Sequence, residues 1–265
     1  MENLWGEVIP YWNDSFIEDD EKEPRKPTIT AYEADSDCAV IIFPGGGYSM
    51  RAEHEGAGYA KWFQSIGITS FVVDYRVAPY KHPAELADAI RAVRYVRHFA
   101  DKYGIDKNKI IVMGSSAGGH LAASVSVHYD KDTYTATDDI DKEDCKPNAT
   151  ILCYPVIDMF EYRHDGSRQN LIGARAFEED KELMSLHLQV TRDTPQTFIW
   201  HTAEDGTVPV ENSLLYAGAL SEAHVPFELH VYPFGHHGLG LAKAMPHVAQ
   251  WADSLTNWLR LIEFI

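Results

Sequence analysis

Short apolar runs alternate with longer amphipathic ones along most of this chain. Ala39–Phe43, Thr69–Asp74, Ile110–Met113, Ala149–Tyr154, Thr197–His201 and Phe227–Val231 are four to six residues long and mostly apolar. That pattern predicts strands buried on both faces. Between them, Gly56–Ile66, Ala84–Tyr103, Glu211–Ala223 and Leu241–Leu259 read as helices. In the second, Leu86, Ile90, Val93, Val96 and Ala100 recur at spacings of three and four. In the last, Ala244, Val248, Trp251, Leu255 and Trp258 do the same. Each set makes one apolar face. The alternation predicts an α/β fold, a mostly parallel sheet flanked by helices on both faces. An edge strand is expected near Pro27–Tyr32, entered from an acidic, proline-containing loop over 13–27. Residues 156–195 break the rhythm. They are polar, with a helical piece at Glu178–Leu188, and too few for a separate domain. They form either an insertion above the strand ends that shapes a substrate pocket or a long decorated loop. With no repeat and no low-complexity linker, 1–265 reads as one domain without a large cap.

Composition narrows the function. The chain has 265 residues, enough for one sizeable core, and a formal net charge of −17. That charge disfavours nucleic acid and anionic membranes as partners and mainly serves solubility. Three cysteines, Cys38, Cys145 and Cys153, are too sparse for a disulfide framework. Cys38 and Cys153 lie in or beside apolar strands, as buried thiols would. Residues 1–7 carry neither a basic region nor an apolar stretch of signal-peptide length, and no run is long enough to span a membrane. A reduced, cytoplasmic protein is expected.

The chemistry is concentrated at Gly114-Ser115-Ser116-Ala117-Gly118. This fits Gly-x-Ser-x-Gly, and it sits between a short strand and a helix, where a nucleophile elbow must sit. The turn exposes the Ser116 hydroxyl, and the Ala117 N–H is free to face an oxyanion. A serine needs a base, an acid to orient the base, and donors for the tetrahedral oxygen. In this architecture those groups follow strands in the order Ser, Asp or Glu, His. Asp205, after Thr197–His201, is the expected acid, with Glu204 its neighbour and competitor. His237, in a glycine-rich loop after Phe227–Val231, is the expected base, with His236 its competitor. The chain has 13 histidines, so position decides, and the other eleven read as surface or structural. Pro44-Gly45-Gly46-Gly47-Tyr48 follows Ala39–Phe43, and side-chain-free residues there let N–H groups converge. Gly46, Gly47 and Ala117 are the expected oxyanion donors. The spacings of nucleotide-binding glycine loops are absent. Tyr48 either borders the acyl or sugar site or packs as an aromatic.

These pieces resemble the α/β-hydrolases, and within them the esterase/lipase branch that contains carbohydrate acetyl esterases. The resemblance runs from about Pro27 to Leu259. It rests on Pro44–Tyr48, His54-Glu55-Gly56, Asp74–Pro79, Gly114–Ala122, Tyr154-Pro155-Val156-Ile157, His201–Asp205 with Val208-Pro209, and Gly235–Gly238. It implies a Ser116–His237–Asp205 triad acting through an acyl-enzyme, and favours His237 because that histidine directly precedes a glycine. Hormone-sensitive-type relatives carry His-Gly-Gly-Gly, whereas Pro44 stands first here. The Pro-Gly-Gly-Gly-Tyr form is similar to acetyl-xylan and related sugar-ester esterases, some labelled xylanase because of fused neighbours. The expected activity is hydrolysis of short acyl esters, foremost acetyl, on xylo-oligosaccharides or similar small sugars. No metal or organic cofactor is required, and glycosidic cleavage is not expected. Arylformamidase, feruloyl esterase or peptidase chemistry would use the same triad, and a non-catalytic binding protein would show a broken one. Isologous dimers are common for such domains, so a homo-oligomer is compatible with the chain.

Overall fold

A computed structural model describes residues 1–12 and 26–265. Most of the acidic loop expected at 13–27 therefore lies outside the described residues. The elements run β1 (Glu2–Asn3), β2 (Thr28–Tyr32), β3 (Ala39–Phe43), α1 (Ala57–Ser65), β4 (Thr69–Asp74), α2 (Ala84–His98), α3 (Ala100–Tyr103), β5 (Ile110–Ser115) and α4 (Ala117–His128). They continue with β6 (Ala149–Cys153), α5 (Asp165–Ile172), α6 (Glu178–Met184), β7 (Thr197–Thr202), α7 (Glu211–Glu222), β8 (Phe227–Tyr232), α8 (Pro246–Ala249) and α9 (Trp251–Leu261). A short 3₁₀ turn at Glu53–Glu55 precedes α1.

The strands form one sheet in the order β1-β2-β4-β3-β5-β6-β7-β8. Pairing is antiparallel from β1 through β2 to β4, and parallel from β4 onward. Register aligns the carboxyl ends of the central strands, with Phe43 opposite Gly114, Ser115 opposite Cys153, and Cys153 opposite Trp200. The loops that follow β3, β5 and β7 thus emerge side by side.

Alternation along each strand sends side chains to two separate cores. Ile41, Phe43, Val112, Leu152 and Ile199 join Leu86, Ile90 and Val93 of α2, Leu121 and Val125 of α4, and Tyr216 and Leu220 of α7. Val40, Ile42, Ile111, Met113, Ile151, Phe198 and Trp200 join Tyr59 and Phe63 of α1 and Trp251, Leu255 and Trp258 of α9. All three cysteines are free and buried. Burial pushes the Cys38 and Cys153 thiols up to about 12. Among the described residues, no helix is long and apolar enough to cross a membrane.

Three sequence expectations need correcting. Thr28–Tyr32 is not the edge, because Glu2–Asn3 pairs outside it. The helix expected over Ala84–Tyr103 is interrupted at Phe99, whose φ and ψ of −95° and 17° turn the chain before α3. The last helix, expected from Leu241, is instead two, α8 from Pro246 and α9 from Trp251. Proline lacks an N–H and cannot occupy a helix interior without breaking a hydrogen bond, but it suits the first turn.

Candidate active site

β5 ends at Ser115 and α4 begins at Ala117, so Ser116 alone makes the turn. Its φ of 52° and ψ of −120° lie outside the ordinary regions for a side-chain-bearing residue. Close approach of strand and helix requires glycine on both sides. A Cβ on Gly114 would overlap the Gly118 carbonyl, and one on Gly118 would overlap the carbonyls of Phe43 and Pro44. The turn is fastened by the Ser116 N–H donating to Cys153 O (3.0 Å), while Ser116 O accepts from the N–H groups of His120 (3.0 Å) and Val156 (3.1 Å).

The structure brings the three expected triad members together. His237 Nε2 lies 2.8 Å from Ser116 Oγ. His237 Nδ1 lies 2.6 Å from Asp205 Oδ2. A carboxylate only accepts, so the proton belongs on Nδ1, and the Nε2 lone pair faces the Ser116 hydroxyl. Asp205 is buried, and its Oδ1 accepts from the N–H groups of Thr207 and Val208, each at 2.9 Å. Burial alone would raise its pKa. Hydrogen bonds from His201, His237 and the Val208 N–H outweigh that and hold the carboxyl well below the usual carboxylate range. The sequence marks His201 only as surface or structural. It is fully buried, with Nε2 3.0 Å from Val208 O and 3.4 Å from Asp205 Oδ2, and it braces the acid loop.

Neither competitor occupies the line. Glu204 is exposed, and its Oε2 accepts from the Gly235 N–H at 3.0 Å. His236 is exposed with Nδ1 2.7 Å from the carbonyl of His237.

The loop after β3 lies against the elbow. A Cβ on Gly45 would come within 2.8 Å of Ser115 O and 3.2 Å of Ser116 Cβ. The N–H groups of Gly46 and Gly47 have no protein acceptor among the described residues. Ala117, first in α4, has no acceptor within its helix. The Gly45 N–H, by contrast, donates to Glu55 Oε2 at 2.9 Å. Tyr48 does not border a substrate site with its side chain. It is fully buried, its hydroxyl lies 2.8 Å from His120 Nδ1, and its ring meets Tyr75 and His120 edge-on. Burial pushes His120 down to about 3, so the ring is neutral. Its Nε2–H donates to Met184 O, and Nδ1 accepts from Tyr48. Tyr48 is the packing aromatic of the two readings.

The interrupting segment reaches the site through α5. Asn170 Nδ2 donates to Gly47 O at 2.7 Å, and His164 Cε1 lies 3.8 Å from where a Gly47 Cβ would stand. Burial, then the neighbouring His237, lowers the His164 pKa. Neither residue carries a sequence signal, because the Gly47 backbone each lies against is more than a hundred positions away.

The sheet order and the elbow at the end of β5 are those of an α/β-hydrolase. Within that class the chain belongs to the BD-FAE family, whose model matches residues 29–220. It is 42% identical over 228 residues to Endo-1,4-beta-xylanase B of Butyrivibrio fibrisolvens, covering 82% of this chain and 35% of that protein. It is 33% identical over 230 residues to an acetylxylan esterase of Xylanibacter ruminicola, covering 84% of this chain and 45% of that protein. The chain thus spans less than half the length of these curated relatives. A crystal structure of an acetyl ester-xyloside bifunctional hydrolase from Caldicellulosiruptor lactoaceticus superposes with a TM-score of 0.91 at 45% identity. That match covers 100% of this chain and 97% of the other.

Proposed function

We propose that the chain is a serine esterase that removes acetyl and other short acyl groups from small sugars, foremost xylo-oligosaccharides. The observation that carries this reading is the Ser116–His237–Asp205 hydrogen-bond line together with the N–H groups of Gly46, Gly47 and Ala117, which have no protein acceptor among the described residues. His237 Nε2 takes the Ser116 proton as Oγ attacks the ester carbonyl. The carbonyl oxygen gains charge against the N–H groups of Gly46 or Gly47 and Ala117, each such donor stabilising it by roughly 3 kcal/mol. Asp205, ionised and oriented by Thr207 and Val208, stabilises the imidazolium. The imidazolium then protonates the departing sugar oxygen. Water attacks the acyl-enzyme by the same route, releasing the acid and restoring Ser116.

The sugar-ester assignment rests on the relatives. One is named as an acetylxylan esterase, and the matching crystal structure is described as an acetyl ester-xyloside bifunctional hydrolase. Glycosidic cleavage normally needs a pair of carboxyl groups facing the scissile bond. Here Asp205 is committed to His237, so we assign ester hydrolysis alone to this triad. The test is acetate release from acetylated xylo-oligosaccharide and turnover of p-nitrophenyl acetate by wild type and Ser116→Ala. The folded variant loses both. Retained turnover refutes the assignment. A panel of butyryl, feruloyl, formamide, peptide and p-nitrophenyl xyloside substrates fixes the bond class.

A further inference from the structure

We propose that Glu55 is a positioning residue that holds the oxyanion loop and the histidine loop in register with each other. This rests on the esterase reading of the site. Glu55 stands in the 3₁₀ turn before α1, is 3% exposed, and points both oxygens inward. Oε2 accepts the Gly45 N–H at 2.9 Å. Oε1 accepts the Tyr154 hydroxyl at 2.7 Å. The same Tyr154 oxygen accepts the N–H of Gly240 at 2.9 Å, and the Tyr154 ring stands edge-on to His237 at 5.1 Å between centroids. His54, the neighbour of Glu55, lies with Nε2 2.9 Å from Gly238 O. One turn of chain therefore grips the loop carrying the proposed oxyanion donors and, through Tyr154 and His54, the loop carrying the base.

The wiring also reaches the elbow. Tyr59 OH lies 3.3 Å from Tyr154 OH and 3.1 Å from Ser115 Oγ. Because the carboxylate can only accept, proton directions follow from it. Tyr154 donates to Glu55, Tyr59 donates to Tyr154, and Ser115 donates to Tyr59. Burial keeps both phenols protonated.

The need for such a clamp follows from composition. Gly45-Gly46-Gly47 and the Gly235, Gly238 and Gly240 loop are the segments with the greatest backbone freedom. Donors stabilise a developing charge only if they are already aimed when it forms. Fixing the Gly45 amide restricts the peptide planes that follow it, and fixing the Gly240 amide restricts the loop that presents His237. Glu55 cannot be replaced by its amide without loss. Its two oxygens face two donors, and a glutamine NH₂ would oppose one of them.

The experiment compares wild type, Glu55→Gln and Tyr154→Phe on p-nitrophenyl acetate. It adds inhibition constants for phenylboronic acid, which adds to Ser116 as a tetrahedral anion, and for acetate, which does not. In folded Glu55→Gln, kcat falls about 30-fold with KM within about threefold, since misaimed donors cost part of what a deleted one does. The boronate constant rises by a similar factor and the acetate constant holds. Equal loss for boronate and acetate, or a kcat within about threefold of wild type, overturns the proposal. Where Glu55→Gln does not fold, Tyr154→Phe decides. A kcat loss of about five- to tenfold mirrored by boronate supports the clamp, and unchanged kinetics overturn it. Wild type inert towards p-nitrophenyl acetate would refute the esterase reading and this inference together. An active wild type with an unaltered Glu55→Gln refutes the clamp alone.

Discussion

Asp205→Asn is the sharpest test of the triad, because the structure decides which way the amide must face. Asp205 Oδ1 accepts from two backbone N–H groups, Thr207 and Val208, each at 2.9 Å. An asparagine must keep its carbonyl oxygen there, since the flipped rotamer would set its NH₂ against both. The NH₂ therefore takes the place of Oδ2 and faces His237 Nδ1, 2.6 Å away in the wild type. Two donors cannot share that contact, so His237 moves its proton to Nε2. That nitrogen then presents N–H to Ser116 Oγ and cannot take its proton. His201 Nε2, 3.4 Å from the same oxygen, loses an acceptor as well. Loss of the correct tautomer costs about ten-thousand-fold in kcat. That corresponds to a barrier higher by about 5 kcal/mol. The assay is the kcat/KM of p-nitrophenyl acetate hydrolysis across pH, with circular dichroism to confirm folding. Glu204→Gln is the control. Its amide oxygen can still accept from the Gly235 N–H, and it should stay within about threefold of wild type. A folded Asp205→Asn retaining a tenth of wild-type activity, or a Glu204→Gln that loses more than Asp205→Asn, refutes the assignment of the acid.

Asp205 also links stability to pH. Its folded pKa is depressed below the ordinary 3.8, so its contribution is present above that value and is lost as pH falls through the folded pKa. Thermal melts below pH 4 should therefore drop for wild type and flatten for Asp205→Asn. Glu85 has the opposite sign. Fully buried with neither oxygen bonded to another residue, it is pushed up to about 8 from 4.5, chiefly by burial. Its stability is whole below about pH 4.5 and lost as pH rises through 8. Glu85→Gln should gain on wild type by up to about 5 kcal/mol at pH 9, and an advantage that does not vary with pH would refute this. Gly118→Ala, whose Cβ would overlap the Phe43 and Pro44 carbonyls, should lose at least about 3 kcal/mol in denaturant titration. Asn170→Ala removes the hydrogen bond to Gly47 O and should lower kcat about fivefold with little change in melting temperature.

The contrast between what the sequence displayed and what it hid follows from the range of the interactions involved. Strands such as Ala39–Phe43, buried on both faces, and Thr69–Asp74, buried on one face and partly on the other, announce themselves, and their observed bounds match the apolar runs residue for residue. Ser116 was legible because its strained turn demands glycines two positions to each side, a local rule. Asp205 and His237 were legible through strand order, which the register then placed beside Ser116. The interruption at Phe99 was hidden because the apolar spacing continues through Ala100 across the turn, so periodicity registers the face and not the backbone. Pro246 was a local signal that helical spacing overrode.

Glu55 belongs to a different order of information. Its partners Gly45 and Tyr154 stand 10 and 99 positions away, and it binds one through a backbone amide that any residue but proline offers. His54-Glu55-Gly56 was visible as part of a family pattern, but no spacing within it states a purpose. The purpose emerges only when the sheet sets the loops after β3 and β8 on either side of one carboxylate. In a site built on glycine loops, rigidity has to come from buried side chains outside those loops, and such residues are the ones a motif cannot name.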